Sequence, residues 1–390
     1  MNITRFARPL FLLLALGSVP AAMAAQAVPA PPQLAAKSWV LMDAASGQVL
    51  VEHNADERLP PASLTKLMTA YIGTLKIRTG EIGEQDPVHV SEHAWRTGGA
   101  ASGGSTMFLP LNSQAPVDAL LHSIIIQSGN DASIALGEHI SGSEEAFADL
   151  MNTTAQQLGM KNSHFMNATG LPHPEHFSSA RDMALLARAI IYDDPEHYAI
   201  YAQKDFIWNN IKQGNRNLLL YRDQTVDGLK TGHTEEAGYC LVASAKRDDV
   251  RLIAAVFGTA SESVRAAETQ KLLTFGFRYF ESKTFFQKGA ELAQGKVWKG
   301  ATTQLSAGLA SDLSLILPKG QAGKVQSSIQ LNPLLLAPIE QGSVVGKVEL
   351  SLDGQLLQST DLVALNSVEQ GSLLRRLWDS IQLFFIGLFN

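Results

Sequence analysis

Pro60-Pro61-Ala62-Ser63-Leu64-Thr65-Lys66-Leu67-Met68-Thr69-Ala70 is the stretch on which the reading of this chain turns. Two prolines end an extended segment and open a helix. Leu64, Leu67, Met68, Tyr71, Ile72 and Leu75 recur at three- and four-residue spacing, so the helix presents a broad apolar face to a core. Ser63 and Lys66, three apart, share one side of a turn. A serine in a first helical turn keeps a free backbone N–H that a developing oxyanion can use. A lysine held against an apolar helix loses solvation of its charge, which lowers its pKa. The pair therefore offers a hydroxyl nucleophile with an amine able to take its proton. The same four-residue string also suits a helix-capping serine beside a surface lysine, and the string alone does not separate the two.

Working outward, Ser38–Asp43 and Gln48–Glu52 read as strands of a hairpin around Ala44–Gly47. Residues 112–195 are mostly helical, broken by a His-, Asn- and Pro-rich loop over Asn162–Phe177. Ala237–Lys246 and Val250–Gly258 form a second hairpin, and Glu262–Glu281 an amphipathic helix. Strands at both ends with helices between them predict an α/β unit, a mixed sheet with a helical subdomain and a cleft at their junction. Beyond Lys283 come short, partly alternating runs with Pro-Lys-Gly and Asp-Gly turns, which predict a small all-β domain, a sandwich. Over Ser372–Asn390, Leu374, Leu377, Trp378, Ile381, Phe384, Phe385 and Leu388 share one helical face, with Arg375, Arg376, Asp379 and Gln382 on the other. That pattern predicts a helix lying in a membrane interface rather than spanning it; the alternative is a terminal helix packed on its own protein.

The N-terminus has Arg5 and Arg8, an apolar stretch over Leu10–Leu16 and a small-x-small Ala22-Met23-Ala24 site, which predicts a secretory signal peptide over 1–24. A net charge of −6 provides no basic field for nucleic acid. The single cysteine, Cys240, reads as a core thiol. His173 and His176 flank Pro174-Glu175 without a third ligand, so no metal is called for.

Two further strings bear on Ser63. Ser128-Gly129-Asn130 sits at an interhelical turn, where a hydroxyl can relay a proton and an amide can hold a carbonyl, although turns favour these residues anyway. Lys230-Thr231-Gly232 leads into the second hairpin. On a strand edge the lysine and threonine could hold a carboxylate, and the glycine admits a close backbone; the alternative is a polar strand end.

Taken together, S-x-x-K, S-x-N and K-T-G in this order resemble the penicilloyl-serine transferases, and most closely the low-molecular-mass penicillin-binding proteins of the D-alanyl-D-alanine carboxypeptidase type. Phe177-Ser178-Ser179-Ala180-Arg181-Asp182-Met183 and Val226–Thr234 add to the likeness, which spans nearly the whole chain after residue 24. It implies that Ser63 attacks the terminal D-Ala-D-Ala carbonyl with Lys66 as base. Ser128 and Asn130 would relay protons and hold substrate, and Lys230 and Thr231 would orient the terminal carboxylate. Backbone N–H groups of Ser63 and His233 would form the oxyanion hole beside Gly232, with Arg216 and Arg265 near the carboxylate.

The resemblance further implies peptidoglycan pentapeptide stems as substrate, β-lactams as inhibitors, no cofactor, and a periplasmic enzyme on the outer face of the inner membrane. The expected organisation is a signal peptide at 1–24, a catalytic domain at 25–283, a β-rich domain at 284–366 and an anchoring helix at 367–390. A D,D-endopeptidase, a β-lactamase with Glu175 as its deacylating carboxylate, and a non-catalytic peptidoglycan-binding protein are the rival readings.

Overall fold

The computed structural model describes residues 28–389, with side chains through Ile386; the expected signal peptide lies outside the described residues. The chain begins with the predicted hairpin, β1 (Ser38–Asp43) and β2 (Val49–His53), whose turn is fixed by Asp43 Oδ2 accepting from the Ser46 amide and hydroxyl. A helical block follows, including α1 (Lys66–Arg78), α2 (Asn130–Ser141) and α3 (Ala180–Asp193). Strands β3 (Val226–Thr234), β4 (Gly238–Arg247) and β5 (Val250–Thr259) and the helix α4 (Glu262–Tyr279) complete the unit.

The five strands form one sheet in the order β2-β1-β5-β4-β3. The expected mixed sheet is in fact antiparallel at every pairing. The physical reason is the path of the chain. It leaves the sheet at one edge, β2, builds the helical block and re-enters at the opposite edge, β3, so no crossover joins neighbouring strands.

Strand alternation divides the interior into two cores. Val40, Met42, Val242, Ile253 and Ala255 face α1 and α3, meeting Leu67, Met68, Ile72, Met183 and Leu186. Trp39, Leu41, Leu241, Ala243, Leu252 and Ala254 face α4, meeting Leu272, Leu273 and Phe275. Cys240 is buried in the first core, and burial pushes its thiol up to about 11, as expected of an inert core residue.

After α4 the strand Phe280–Phe286 pairs with Leu313–Pro318, beside a six-stranded sheet that closes the predicted β domain. Leu313, Leu315 and Leu317 point into the β core with Val297, Leu305, Val348 and Leu362. Ile316, one residue out of phase, packs into the core beneath α4 with Phe275 and Phe280. The last helix, α5 (Leu373–Phe389), follows; among the described residues no helix is long and apolar enough to cross a membrane.

One buried carboxylate fixes the helical block around the cleft. Asp131, in the first turn of α2, accepts from the amides of Met107, Leu109 and Ala132 and from the Thr106 hydroxyl, at 2.7–3.0 Å. Gly98 lies against the Asp131 backbone so closely that any Cβ there would collide with it. Asp131→Ala therefore leaves three buried amides and a hydroxyl without that acceptor, and we expect a loss of about 3 kcal/mol or more. Urea unfolding of the variant checks this through a lower midpoint at an unchanged slope.

Candidate active site

Ser63 stands in a single 3-10 turn, Ala62–Thr65, just ahead of α1 and not inside the α-helix itself. Ala62 adopts φ +47°, a left-handed conformation costly for a residue with a Cβ. Neighbouring backbone over-determines this turn. Gly170, itself at φ +80°, lies against the Ala62 carbonyl with no room for a side chain. A Cβ on Gly232 would stand 2.9 Å from the Pro61 carbonyl oxygen, so β3 passes the serine turn as closely as the K-T-G glycine predicted.

Lys66 is 1% exposed. Its Nζ donates to Asn130 Oδ1 at 2.7 Å, to the Thr169 carbonyl at 2.6 Å and to Ser63 Oγ at 3.2 Å. Burial, reinforced by the Arg216 charge, lowers its pKa to about 7, while Asp131 and Glu144 oppose the shift. Near neutrality a large share of Lys66 is thus free amine beside the serine hydroxyl, the state a general base needs.

Ser128 follows a π-helical turn, Ser123–Gln127, and takes φ +71°. Such turns recur at functional sites because they re-aim the residue that follows. Its Oγ is buried and has no hydrogen-bond partner among the described residues. Lys230 is buried on β3 and donates to the Thr231 carbonyl at 3.3 Å. Burial first, then the charges of Lys66, Arg216 and Arg265, hold its pKa well below the usual lysine range. Arg265 donates to the Gly232 carbonyl at 3.4 Å and lies over the Tyr239 ring, on which the His233 ring also stacks at 3.9 Å.

Ser63, Ser128, Asn130, Arg216, Thr231, Gly232, His233 and Arg265 all line one cavity of about 370 Å³, and Lys66 and Lys230 are buried beside it. The residues singled out in the sequence therefore converge from α1, α2, edge strand β3, α4 and the segment before β3. Two guanidinium groups, Arg216 and Arg265, line the cavity, with the Lys230 amine buried beside it, a ready site for an anionic group.

The lining also takes in residues outside the three strings and the two arginines; Arg96–Met107, with its four glycines, is the loop that the sequence placed at the cleft. Gly103, Gly104 and Ser105 form one wall, and Thr169 and Gly170 another. The second wall carried a readable signal: Asn167 Oδ1 accepts from the Thr169 amide and hydroxyl and the Gly170 amide, an Asx turn. Glu175 is exposed and stands outside the cavity lining.

A serine with a buried amine within reach, in a cavity that Arg216 and Arg265 also line, is equipped for acyl transfer through a serine ester. Comparison with known proteins gives the same class and narrows it. A family model described as D-alanyl-D-alanine carboxypeptidase matches residues 24–261, and one described as the penicillin-binding protein 5 C-terminal domain matches residues 280–370. The chain is similar to D-alanyl-D-alanine carboxypeptidase DacC of Escherichia coli, at 44% identity over 94% of this chain and 92% of that one. Its fold matches penicillin-binding protein 5 from Haemophilus influenzae with a TM-score of 0.80 and 43% identity, covering 87% of this chain and 99% of that one. Penicillin-binding protein D2 of Listeria monocytogenes, solved in its ampicillin-bound form, matches at 29% identity and a TM-score of 0.55 over 63% of this chain and 98% of that one. The chain belongs to the D-alanyl-D-alanine carboxypeptidase family of serine hydrolases.

His176 ties the Asn162–Phe177 loop to the serine turn. Its Nδ1 accepts from the Met166 amide at 3.3 Å, so Nε2 carries the proton and donates to Thr65 Oγ1 at 2.8 Å. Burial, with the charges of His164, His173 and Lys66, lowers its pKa from 6.5 to about 4. The unfolded chain therefore binds this proton more readily than the folded one. The stabilisation is complete above pH 6.5 and is lost as pH falls toward 4, up to about 3 kcal/mol from this residue. We expect His176→Gln to flatten the stability–pH curve in that window, as measured by urea midpoints at pH 7, 5.5 and 4.

Proposed function

We propose that this carboxypeptidase removes the terminal D-alanine from peptidoglycan pentapeptide stems through an acyl-Ser63 intermediate. The observation that carries the reading is Lys66: buried, lowered to about 7 and hydrogen-bonded to Ser63. Free-amine Lys66 takes the Ser63 proton as Oγ bonds to the carbonyl carbon of the D-Ala-D-Ala link. Amides of Ser63 and His233 receive the oxyanion; β3 is an edge strand, so alternate amides are free of a neighbouring strand. Ser128, with its partnerless Oγ, passes a proton to the departing amine, and the C–N bond breaks. Asn130 holds both Lys66 and the substrate amide, while Lys230, Thr231, Arg216 and Arg265 receive the terminal carboxylate. Water then cleaves the ester, regenerating Ser63.

A β-lactam presents the same carboxylate and acyl carbon, but its leaving amine stays tethered to the acyl group. Glu175, exposed and away from the cavity lining, is not in a position to activate a deacylating water, which favours a long-lived adduct over β-lactamase turnover. The enzyme is proposed to work in the periplasm, with a signal peptide at 1–24, a catalytic domain at 25–283, a β domain at 284–366 and an anchor at 367–390.

The exposure of α5 supports that anchor. Asp379, 8% exposed, accepts from the Lys299 amide at 2.6 Å, so the polar side of the helix is docked on the β domain. Leu374, Leu377, Trp378, Ile381, Phe384 and Phe385 face away from it and are exposed; the Leu388 side chain lies outside the described residues. A helix turned this way cannot be covering its own protein with its apolar face, and a bilayer surface suits it.

Two outcomes are expected. Intact-mass measurement after adding a penicillin should show a persistent adduct that is absent in Ser63→Ala, with an acylation rate that rises with pH through about 7; absence of an adduct on folded protein would sink the reading. Truncation after Gly371 should abolish sedimentation with anionic phospholipid vesicles while leaving acylation unchanged.

A further inference from the structure

Behind the wall that supplies the Thr169 carbonyl lies a carboxylate the mechanism above does not use. Glu144 is the first residue of the Glu144–Gln157 helix and is buried. Its Oε1 accepts from the Ala168 amide at 3.0 Å, and its Oε2 meets His93 Nε2 at 2.7 Å, on the half-exposed ring of the Glu92–Gly98 helix. Ala168 is held on its other side as well, its carbonyl accepting from Thr69 Oγ1 of α1 at 2.7 Å. The next carbonyl, Thr169, is the one that accepts from Lys66 Nζ. A continuous path thus runs from the surface through His93, Glu144 and the Ala168–Thr169 backbone to the amine beside Ser63.

We infer that Glu144 is a positioning residue for acylation: it fixes the turn that presents the Thr169 carbonyl to Lys66 and holds a carboxylate behind that turn. The inference rests on Lys66 serving as the base. Two features favour a specific role over plain packing. The carboxylate engages the Ala168 amide, one residue from the carbonyl that touches Lys66, so its displacement moves that carbonyl directly. In addition, the charges of Arg216, Lys230 and, when protonated, His176 oppose the ammonium form of Lys66, whereas those of Asp131 and Glu144 favour it. Asp131 already serves three backbone amides and a hydroxyl, which leaves Glu144, paired outward with His93, as the second counter-charge.

Glu144→Gln keeps an oxygen for the Ala168 amide and removes only the charge. Glu144→Asp keeps the charge but withdraws it by one methylene from that amide. The measurement is the pH dependence of the acylation rate with a chromogenic β-lactam, with thermal midpoints in parallel. Glu144→Gln should move the acid limb of the profile to lower pH by roughly half a unit or more. Glu144→Asp should leave the limb in place and slow acylation by about tenfold or more, the scale of effect expected from a misplaced catalytic group. A wild-type limb in Glu144→Gln overturns the inference, as does a wild-type rate in Glu144→Asp; if one variant does not fold, the other decides. Lys66→Ala separates this from the underlying reading: wild-type acylation there removes Lys66 as the base, whereas inert Lys66→Ala beside wild-type Glu144→Gln removes Glu144 alone.

Discussion

The site depends on keeping one lysine side chain out of water. An ammonium group buried without partners is among the costliest things a fold can contain, and two responses reduce that cost here. Lys66 is surrounded by acceptors from three separate pieces of chain, Ser63 on its own turn, Asn130 on α2 and the Thr169 carbonyl in the 162–177 loop. Its pKa also falls to about 7, so near neutrality the charge is partly absent. The first response fastens the helical block to the serine turn. The second converts a structural cost into chemical capability, because an amine that has shed its proton can accept another.

The antiparallel sheet makes this convergence possible. Because the chain leaves at β2 and returns at β3, the whole helical block lies between the two sheet edges, and the returning edge faces the block with a side that no strand covers. Close approach there is permitted by small residues at the contacts: Gly232 against Pro61, Gly170 against Ala62, and Gly98 against Asp131. Left-handed backbone at Ala62 and Ser128 places strain on the segments that present Ser63 and Ser128 to the cavity. The β domain is joined to this frame by strand alternation. Leu315 and Leu317 belong to one core and Ile316 to the other, so the strand Leu313–Pro318 is shared rather than merely adjacent.

A good deal of this was legible in the chain itself. The apolar spacing around Ser63, the two hairpins, the change of composition after Lys283 and the two-faced C-terminal helix are local patterns, and local patterns are what periodicity reports. The chemically distinctive side chains, Ser63, Lys66, Ser128, Asn130 and Lys230, stood out by type and spacing, and the fold brings them to one cavity. Sequence alone thus determined which distinctive side chains the fold gathers and which local elements hold them, because residue identity and helical or strand period are written one residue at a time. Tertiary structure decided the rest: strand direction, the Thr169 carbonyl at Lys66, the His176 bond to Thr65 and the Glu144 contact beneath the loop. A backbone carbonyl has no residue identity to read, and the depth at which a carboxylate or imidazole is buried follows only from where distant segments come to rest against one another.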